Sequence, residues 1–245
     1  MRPRWHTAPM HDVILLPGLA CDQGLYRHQL DALAPHHRAT VTDVHFRHDT
    51  LPAMAAALLT EHTPRPLVLV GSSMGGMIAL EAALQQPHRV CAVALLGSSA
   101  RADTDELVRL RTEACALFEA GRMDEVLLAN TAFAFHPEAD DRATLIAEYL
   151  AMMRRAGPAA LVRQNRAVMA RADLRPRLPA LRSPLLVAHG DADLLAPVAC
   201  AHEVAAAVPH ARLEIVERCG HLLTMERPRE INRLLLDWLH ALPAV

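Results

Sequence analysis

The segment LVLVGSSMGGMIAL, residues 67–80, constrains the fold more than any other part of the chain. It passes from strand-forming valine and leucine, through paired serines and glycines, into residues that favour a helix. An apolar run without polar alternation is typical of a strand covered on both faces, as in a parallel sheet. The segment therefore predicts an abrupt strand-to-helix turn at the edge of a parallel α/β sheet.

The same alternation of strands and helices continues along most of the chain, which is typical of a mostly parallel α/β sheet flanked by helices. The predicted strands are Asp12–Gly18, Arg38–Phe46, Arg65–Gly71, Arg89–Gly97, Ser183–Gly190 and Ala211–Glu217. The predicted helices are Tyr26–Leu33, Leu51–His62, Met74–Gln86, Val198–Val208 and Arg229–Leu242. Residues 101–181 are charged, helix-favouring and without a convincing strand. We expect a core domain made of 1–100 and 182–245, interrupted by a helical lid at 101–181.

Composition excludes several classes of protein. A net charge of −2 gives no basic footprint for nucleic acid or an anionic membrane surface. Lysine is absent, which rules out a Schiff-base lysine and a GxxxxGK phosphate loop. The five cysteines are scattered without a CxxC pair, and no apolar stretch approaches 18 residues. These features favour a soluble cytoplasmic protein with free thiols that binds neither nucleic acid nor membrane.

Gly71-Ser72-Ser73-Met74-Gly75 fits the pattern G-x-S-x-G at the predicted turn. The sharp turn exposes the central serine, and the flanking glycines let neighbouring backbone pass closely. A plain strand-to-helix turn is the alternative, because glycine and serine are common in turns. The strand–turn–helix context favours Ser73 as a nucleophile, with Ser72 as a spacer.

A serine nucleophile needs a base, and the base needs a group that orients it. Of the 15 histidines, His221 lies just past the last predicted strand, at the same sheet edge as Ser73. The acid should follow another strand end, where VAHGDADLLAP offers Asp191 and Asp193. The alternative role of Asp191 is to cap the turn. A metal centre is disfavoured, because His45-x-x-His48 and His189-Gly190-Asp191 lack a complete ligand set.

The chain resembles the α/β-hydrolase superfamily, specifically its small lidded serine esterase- and lactonase-like members. The resemblance rests on the order serine, acid, histidine and on the segments VILLPG, VGSSMGGMIAL, LLVAHGDADLLAP and CGHLLTMERP. The resemblance covers nearly the whole chain. It implies that Asp193, the aspartate of G-x-x-D, is the triad acid. It also implies that the family's first two strands are missing or vestigial, which leaves about six strands in the sheet.

The resemblance further implies an oxyanion hole made by the backbone N–H groups of Leu19 and Met74. Relatives commonly read His-Gly-x where this chain reads Pro17-Gly18-Leu19, so a side chain that often braces this loop is absent. The lid supplies candidate substrate-binding residues, for which ordinary packing is the alternative. They are Phe133, Phe135, Met152, Met153 and Met169.

The expected activity is hydrolysis of a small carboxylic ester through an acyl-enzyme, with no cofactor, by a monomer or homodimer. Enzymes that hydrolyse a lactone, an enol-lactone, a thioester or a carbon–carbon bond, and perhydrolases, would use the same triad. Dehalogenase and epoxide hydrolase chemistry is disfavoured, because those relatives carry an aspartate nucleophile. A non-catalytic ligand receptor on the same fold is the alternative from another class.

Overall fold

The computed structural model describes residues 10–62 and 65–243. Its six strands form one sheet in the order β2-β1-β3-β4-β5-β6, and each neighbouring pair is parallel. The strands are β1 (Asp12–Leu16), β2 (Arg38–Val41), β3 (Leu67–Ser72), β4 (Val90–Leu96), β5 (Leu185–Gly190) and β6 (Arg212–Val216). The predicted fold class and the predicted number of strands are confirmed.

Helices connect consecutive strands, as parallel pairing requires. The α-helices are α1 (Arg27–Leu33), α2 (Val44–Arg47), α3 (Leu51–Glu61), α4 (Met74–Gln85), α5 (Asp105–Glu119), α6 (Met123–Ala134), α7 (Arg142–Met169), α8 (Ala199–Ala207), α9 (Leu223–Glu226) and α10 (Pro228–His240). Two 3₁₀ helices cover Gln23–Tyr26 and Arg175–Ala180. None of the helices in the described ranges is both long and apolar enough to cross a membrane.

The core lies on both faces of the sheet. Val13 and Leu15 of β1 belong to one cluster of buried residues, whereas Ile14 and Leu16 belong to the other. Successive side chains of a strand point to opposite faces, so a strand covered on both sides must be apolar at every position. Every residue of β3 is buried accordingly. The strand that leads to the candidate nucleophile is therefore held rigidly in the centre of the sheet.

Two predicted elements differ from the structure. The strand predicted for Arg38–Phe46 ends at Val41, and the last residues of that range start the short helix α2. The edge strand β2 alternates between exposed and half-buried residues, and Phe46 N–H donates to the Asp43 carbonyl. The helix predicted from Tyr26 begins as a 3₁₀ turn at Gln23, because the Asp22 carboxylate accepts the Gly24 N–H.

Helices α5, α6 and α7 and the 3₁₀ helix Arg175–Ala180 lie between β4 and β5, within residues 101–181, which were predicted to form the insertion. Helix α7 is kinked at Gly157, whose φ of 77° and ψ of 169° are not helical, and Pro158 follows. A proline cannot donate to the preceding turn, and the glycine tolerates a positive φ, so the helix axis changes direction here. The kink divides α7 into two arms, and the second arm packs toward the loop that follows β1.

Candidate active site

Ser73 occupies the turn between β3 and α4 with φ 52° and ψ −118°. Such a backbone conformation is strained for a residue with a side chain and persists only where the surroundings enforce it. A Cβ atom at Gly75 would overlap the Leu16 carbonyl at the end of β1, and one at Gly71 would overlap the Gly75–Gly76 backbone. Both glycines of the pattern are therefore required by close backbone approach.

Three side chains from three separate loops meet at this turn. The Ser73 Oγ lies 2.9 Å from His221 Nε2, and His221 Nδ1 lies 2.8 Å from Asp193 Oδ2. A carboxylate can only accept, so Nδ1 carries a proton and Nε2 is left free to accept the serine hydroxyl. The structure thus brings Ser73, His221 and Asp193 into one hydrogen-bonded chain, in which Asp193 and His221 are buried.

The Asp193 carboxylate is satisfied on both oxygens. Its Oδ1 accepts the backbone N–H groups of Leu195 at 2.9 Å and Ala196 at 2.8 Å. His189 Nε2 lies 3.2 Å from Oδ2, beside His221. Burial by itself raises the pKa of Asp193, but the adjacent His221 and these hydrogen bonds outweigh it and hold the pKa well below its usual value. The group is therefore a carboxylate at neutral pH.

The two aspartates of the β5 loop have different contacts. Asp191 Oδ1 accepts the Cys219 N–H at 3.1 Å, which fixes the turn just before His221. In the described structure the His221 ring pairs with Asp193, and Asp191 has the backbone-capping contact expected of a turn residue. The contact with His221 is thus made by the aspartate that the family resemblance favoured.

Glu226 links the His221 loop to the insertion and was missed by sequence analysis. Its carboxylate accepts the Gly220 N–H at 3.1 Å and the His136 N–H at 2.8 Å. Beside it, the His221 N–H donates to the Ala134 carbonyl at the end of α6. Burial raises the pKa of Glu226, and the backbone donors partly oppose this. The available signal was an acidic residue inside the otherwise apolar start of the last helical segment.

The candidate oxyanion donors flank Ser73. Met74 is the first residue of α4, so its N–H belongs to the helix turn that has no carbonyl partner within the helix. The loop that carries Leu19 runs directly past the serine, because a Cβ at Gly18 would lie 3.3 Å from the Ser73 Cβ. Their role as donors stays a prediction from the family resemblance.

The aromatic candidates of the insertion differ in burial. Phe135 is buried at the end of α6, where its ring packs edge to face on Tyr149 at 5.9 Å between centroids. Its backbone lies against Gly220, next to His221. Phe133 is 48% exposed. Of the two, Phe135 is the one whose contacts reach the loop of the triad.

The methionine candidates are spread along α7. Met152 and Met153 are buried, and the Met152 sulfur lies 3.3 Å from the position of a Cβ at Gly24. Met169 lies at the end of the helix, where its sulfur is 3.6 Å from the Thr112 hydroxyl of α5. These contacts are packing contacts of the insertion, and a role in substrate binding stays a prediction.

The cysteines near the site, Cys21 and Cys219, are buried thiols with raised pKa values. Cys21 and Cys219 are buried, and burial raises the pKa of Cys21 to about 12, with Asp22 adding to the effect. Burial also raises the pKa of Cys219 well above its usual value. Across residues 10–62 and 65–243, no group of three histidine, cysteine or acidic residues is placed to hold a metal ion.

Comparison with known proteins defines the family. The model for the serine aminopeptidase S33 family of hydrolases matches residues 31–228. A pimeloyl-[acyl-carrier protein] methyl ester esterase from Xanthomonas campestris is 30% identical, over 94% of this chain and 96% of its own length. A putative carbamate hydrolase from Serratia proteamaculans is 28% identical, over 93% of this chain and 90% of its own length. The chain belongs to the serine aminopeptidase S33 family, within the α/β-hydrolase superfamily.

Solved structures show the same fold. A thermophilic esterase from Thermogutta terrifontis superimposes with a TM-score of 0.86 at 24% identity, covering 96% of this chain and 92% of that one. The enol-lactonase of Burkholderia xenovorans LB400 superimposes with a TM-score of 0.84 at 24% identity, covering 97% of this chain and 93% of that one. These structures and the family match confirm the α/β-hydrolase fold and the hydrolase class predicted from the sequence.

Proposed function

We propose that this enzyme hydrolyses a carboxylic ester through an acyl-enzyme on Ser73, with His221 as the base and Asp193 orienting it. The observation that carries the proposal is the unbroken hydrogen-bonded chain from Ser73 Oγ through His221 to the Asp193 carboxylate. A buried, ionised Asp193 fixes the tautomer of His221 and stabilises the imidazolium that forms during the reaction. A receptor that only binds a ligand has no need of such a series of hydrogen bonds.

The geometry supports a reaction in two halves. Ser73 Oγ attacks the ester carbonyl as its proton moves to His221 Nε2, and the N–H groups of Leu19 and Met74 stabilise the oxyanion. His221 then gives the proton to the departing alcohol, which leaves an acyl group on Ser73. Water attacks this acyl group with His221 again as base, and the carboxylic acid is released. No cofactor takes part in either half.

The substrate that we propose is an acyl chain esterified to a small alcohol, of which a methyl ester is the simplest case. The support is the name of the relative that matches along almost the full length of both chains, a methyl ester esterase. The buried apolar side chains of Phe135 and Met152 supply an apolar environment near the His221 loop and the segment after β1. An acyl chain is the part of such an ester that apolar side chains would contact.

The insertion, residues 101–181, acts in this proposal as a lid over the carboxyl ends of the strands. Its support is the contact of α6 with the loop of His221. All three triad side chains come from one chain, so a protomer is sufficient as a monomer or in a homodimer. The five free cysteines favour action in the reducing cytoplasm.

The test is intact mass after incubation with a fluorophosphonate, which reacts with an activated serine. We expect one adduct on the wild type and none on Ser73→Ala. Ser72→Ala is the matched control, because Ser72 is the adjacent, buried serine, and this variant should still take one adduct. A folded wild type without an adduct, or an adduct that persists on Ser73→Ala, would refute the proposal.

The same preparations then identify the bond that is cleaved. We expect the methyl ester of a medium-length acid to show a higher kcat/KM than the matching lactone or thioester. A lactone or thioester that is cleaved faster would keep the triad mechanism and replace the proposed substrate.

A further inference from the structure

The loop that follows β1 must hold the Leu19 N–H beside Ser73, yet none of the side chains at Pro17, Gly18, Leu19 and Ala20 has a polar atom. The backbone there is strained, since Ala20 has a φ of 56° in the left-handed region that favours glycine. A conformation of this kind persists only when neighbouring groups impose it. Any side-chain hydrogen bond that helps to impose it must therefore come from elsewhere in the chain.

Gln164, on the second arm of α7, supplies one of them. Its Oε1 accepts the Ala20 N–H at 2.6 Å, across 144 residues of sequence. Its Nε2 donates to the His45 carbonyl at 2.9 Å. The amide orientation is unambiguous, because a backbone N–H can only donate and a carbonyl can only accept. Gln164 is fully buried, and both ends of its amide are satisfied.

His45 continues the same chain of contacts. Its Nε2 lies 2.9 Å from the Cys21 carbonyl, which requires that Nε2 carries the proton. The Cys21 N–H in turn donates to the Gly18 carbonyl at 3.0 Å. His45 is buried as well. The network therefore runs from α7 to both Ala20 and Cys21, directly after Leu19.

These contacts fix the two peptide planes on either side of Leu19. The Gly18 carbonyl and the Leu19 N–H share one peptide plane, which the Cys21 N–H holds in place. The Leu19 carbonyl and the Ala20 N–H share the next plane, which Gln164 holds. A rotation of the first plane would change the direction of the Leu19 N–H, and release of the second plane would free the Leu19 Cα at which the two planes join.

We infer that Gln164 is a positioning residue for the oxyanion hole, with His45 as its partner, so that the insertion helps to assemble the catalytic machinery of the core. The inference rests on the proposed function, because it assigns the Leu19 N–H to the oxyanion. Gln164 itself does not touch the substrate, and it acts through the Ala20 N–H and the His45 carbonyl.

The test replaces Gln164 by methionine, which has a similar volume and no amide. We expect kcat for a methyl ester to fall by about 10- to 100-fold while KM changes less than about threefold, because the oxyanion forms after substrate binding. The inhibition constant of a phenylboronic acid, which forms a tetrahedral adduct on serine, should rise by a similar factor. A purely structural role for Gln164 would not separate kcat from KM in this way.

Asn165→Ala is the matched control. Asn165 is the next residue of α7, is also buried, and bonds Arg111 and the Leu161 carbonyl within the insertion. We expect its kcat to stay within about threefold of the wild type, even where its melting temperature falls as far as that of Gln164→Met. A folded Gln164→Met with a wild-type kcat, or an equal loss of kcat in Asn165→Ala, would overturn the inference.

A second pair of variants carries the test should Gln164→Met fail to fold. His45→Phe removes the donor to the Cys21 carbonyl and should lower kcat, whereas His45→Gln keeps an N–H at a similar reach and should restore most of it. Equal kcat values in the two variants would overturn the inference. A wild type that takes no fluorophosphonate adduct would instead refute the proposed function, so the two failures are distinguishable.

Discussion

Each oxygen of the Asp193 carboxylate has its own set of donors. The backbone N–H groups of Leu195 and Ala196 occupy Oδ1, and the rings of His221 and His189 lie beside Oδ2. His189 Nε2 also contacts the Ala196 carbonyl at 2.5 Å, so this nitrogen carries a proton. Oδ2 thus faces two N–H donors, and only a group that accepts on both atoms fits the site.

Asp193→Asn should therefore lose about 10⁴-fold in kcat. The asparagine oxygen must face the two backbone N–H groups, which leaves its NH₂ pointing at His189 and His221. His221 would then place its proton on Nε2, where it can no longer accept from Ser73. Steady-state kinetics on a methyl ester measure the loss.

Asp191→Asn is the control for this prediction. Its side chain can still accept the Cys219 N–H, so kcat should stay within about tenfold of the wild type. A larger loss in Asp191→Asn than in Asp193→Asn would assign the acid to the other aspartate.

The sequence predicts Ser73 and His221 because neighbouring residues identify them. Glycines flank Ser73, and a strand ends just before His221. Residue reasoning alone left Asp191 and Asp193 open, since both follow β5. The roles of Glu226 and Gln164 were not predicted, because each carboxylate or amide accepts a backbone N–H from a distant segment, 90 residues away at His136 and 144 residues away at Ala20. A contact of that range depends on how helices of the insertion pack on the core, which a local pattern does not encode.

At the scale of the elements, the start of α4, directly after β3, packs against the end of β1 in close backbone contact. The helix starts so close to the end of β1 that a Cβ at Gly75 would overlap the Leu16 carbonyl, and that atom belongs to the backbone of a central strand. A backbone atom cannot move aside as a flexible side chain can. The position of the turn that carries Ser73 is thus fixed by packing between elements as well as by its own backbone conformation.

Gly75→Ala should destabilise the protein by more than about 3 kcal/mol, the upper range of overpacking costs. Gly121→Ala is the control: a Cβ there meets nothing within 4 Å, and its φ of 76° is the sole penalty. That variant should lose about 1 kcal/mol. Urea unfolding of both variants measures the difference, and equal losses would contradict this account.

The buried strands were the most predictable elements, since β3 and β5 are apolar at every position before their last two residues. The edge strand β2 was predicted too long because apolar Val44 and Phe46 follow it. Those residues instead begin α2, where Val44 is buried in the second cluster of the core. An apolar residue thus predicts that its side chain is buried, but whether it lies in a strand or a helix depends on tertiary contacts.

At the scale of the whole molecule, four histidines gather where the chain approaches β1 and β2 and where α10 ends. Stacked rings join His11 to His37 at 5.7 Å, and His36 and His240 lie beside them. Burial, together with the neighbouring rings of His11, His240 and His36, lowers the pKa of His37 to about 4. His37 Nδ1 accepts the His11 N–H, so an added proton would go to the very nitrogen that accepts this bond, while Nε2 has no partner among the described residues.

The unfolding free energy should consequently fall as the pH drops from 6.5 toward 4, because the unfolded chain binds a proton at His37 that the native state refuses. We expect the urea midpoint to be lower at pH 5 than at pH 7.5, and this difference to shrink in His37→Asn. The asparagine oxygen can still accept the His11 N–H. His202→Asn, at an exposed histidine, should leave the difference unchanged, and an unchanged difference in His37→Asn would contradict the assignment.

The Ser73–His221 bond spans 148 residues, and between its ends the chain must lay down β4, the whole insertion, β5 and β6. Closing so long a stretch costs chain entropy, so we expect this bond to form in the late steps of folding. Until β6 and the loop of His221 are in place, Ser73 would have no base beside it. We therefore expect the reactivity of Ser73 toward a fluorophosphonate to return during refolding only when the far edge of the sheet has formed, so that this reactivity reports completed folding.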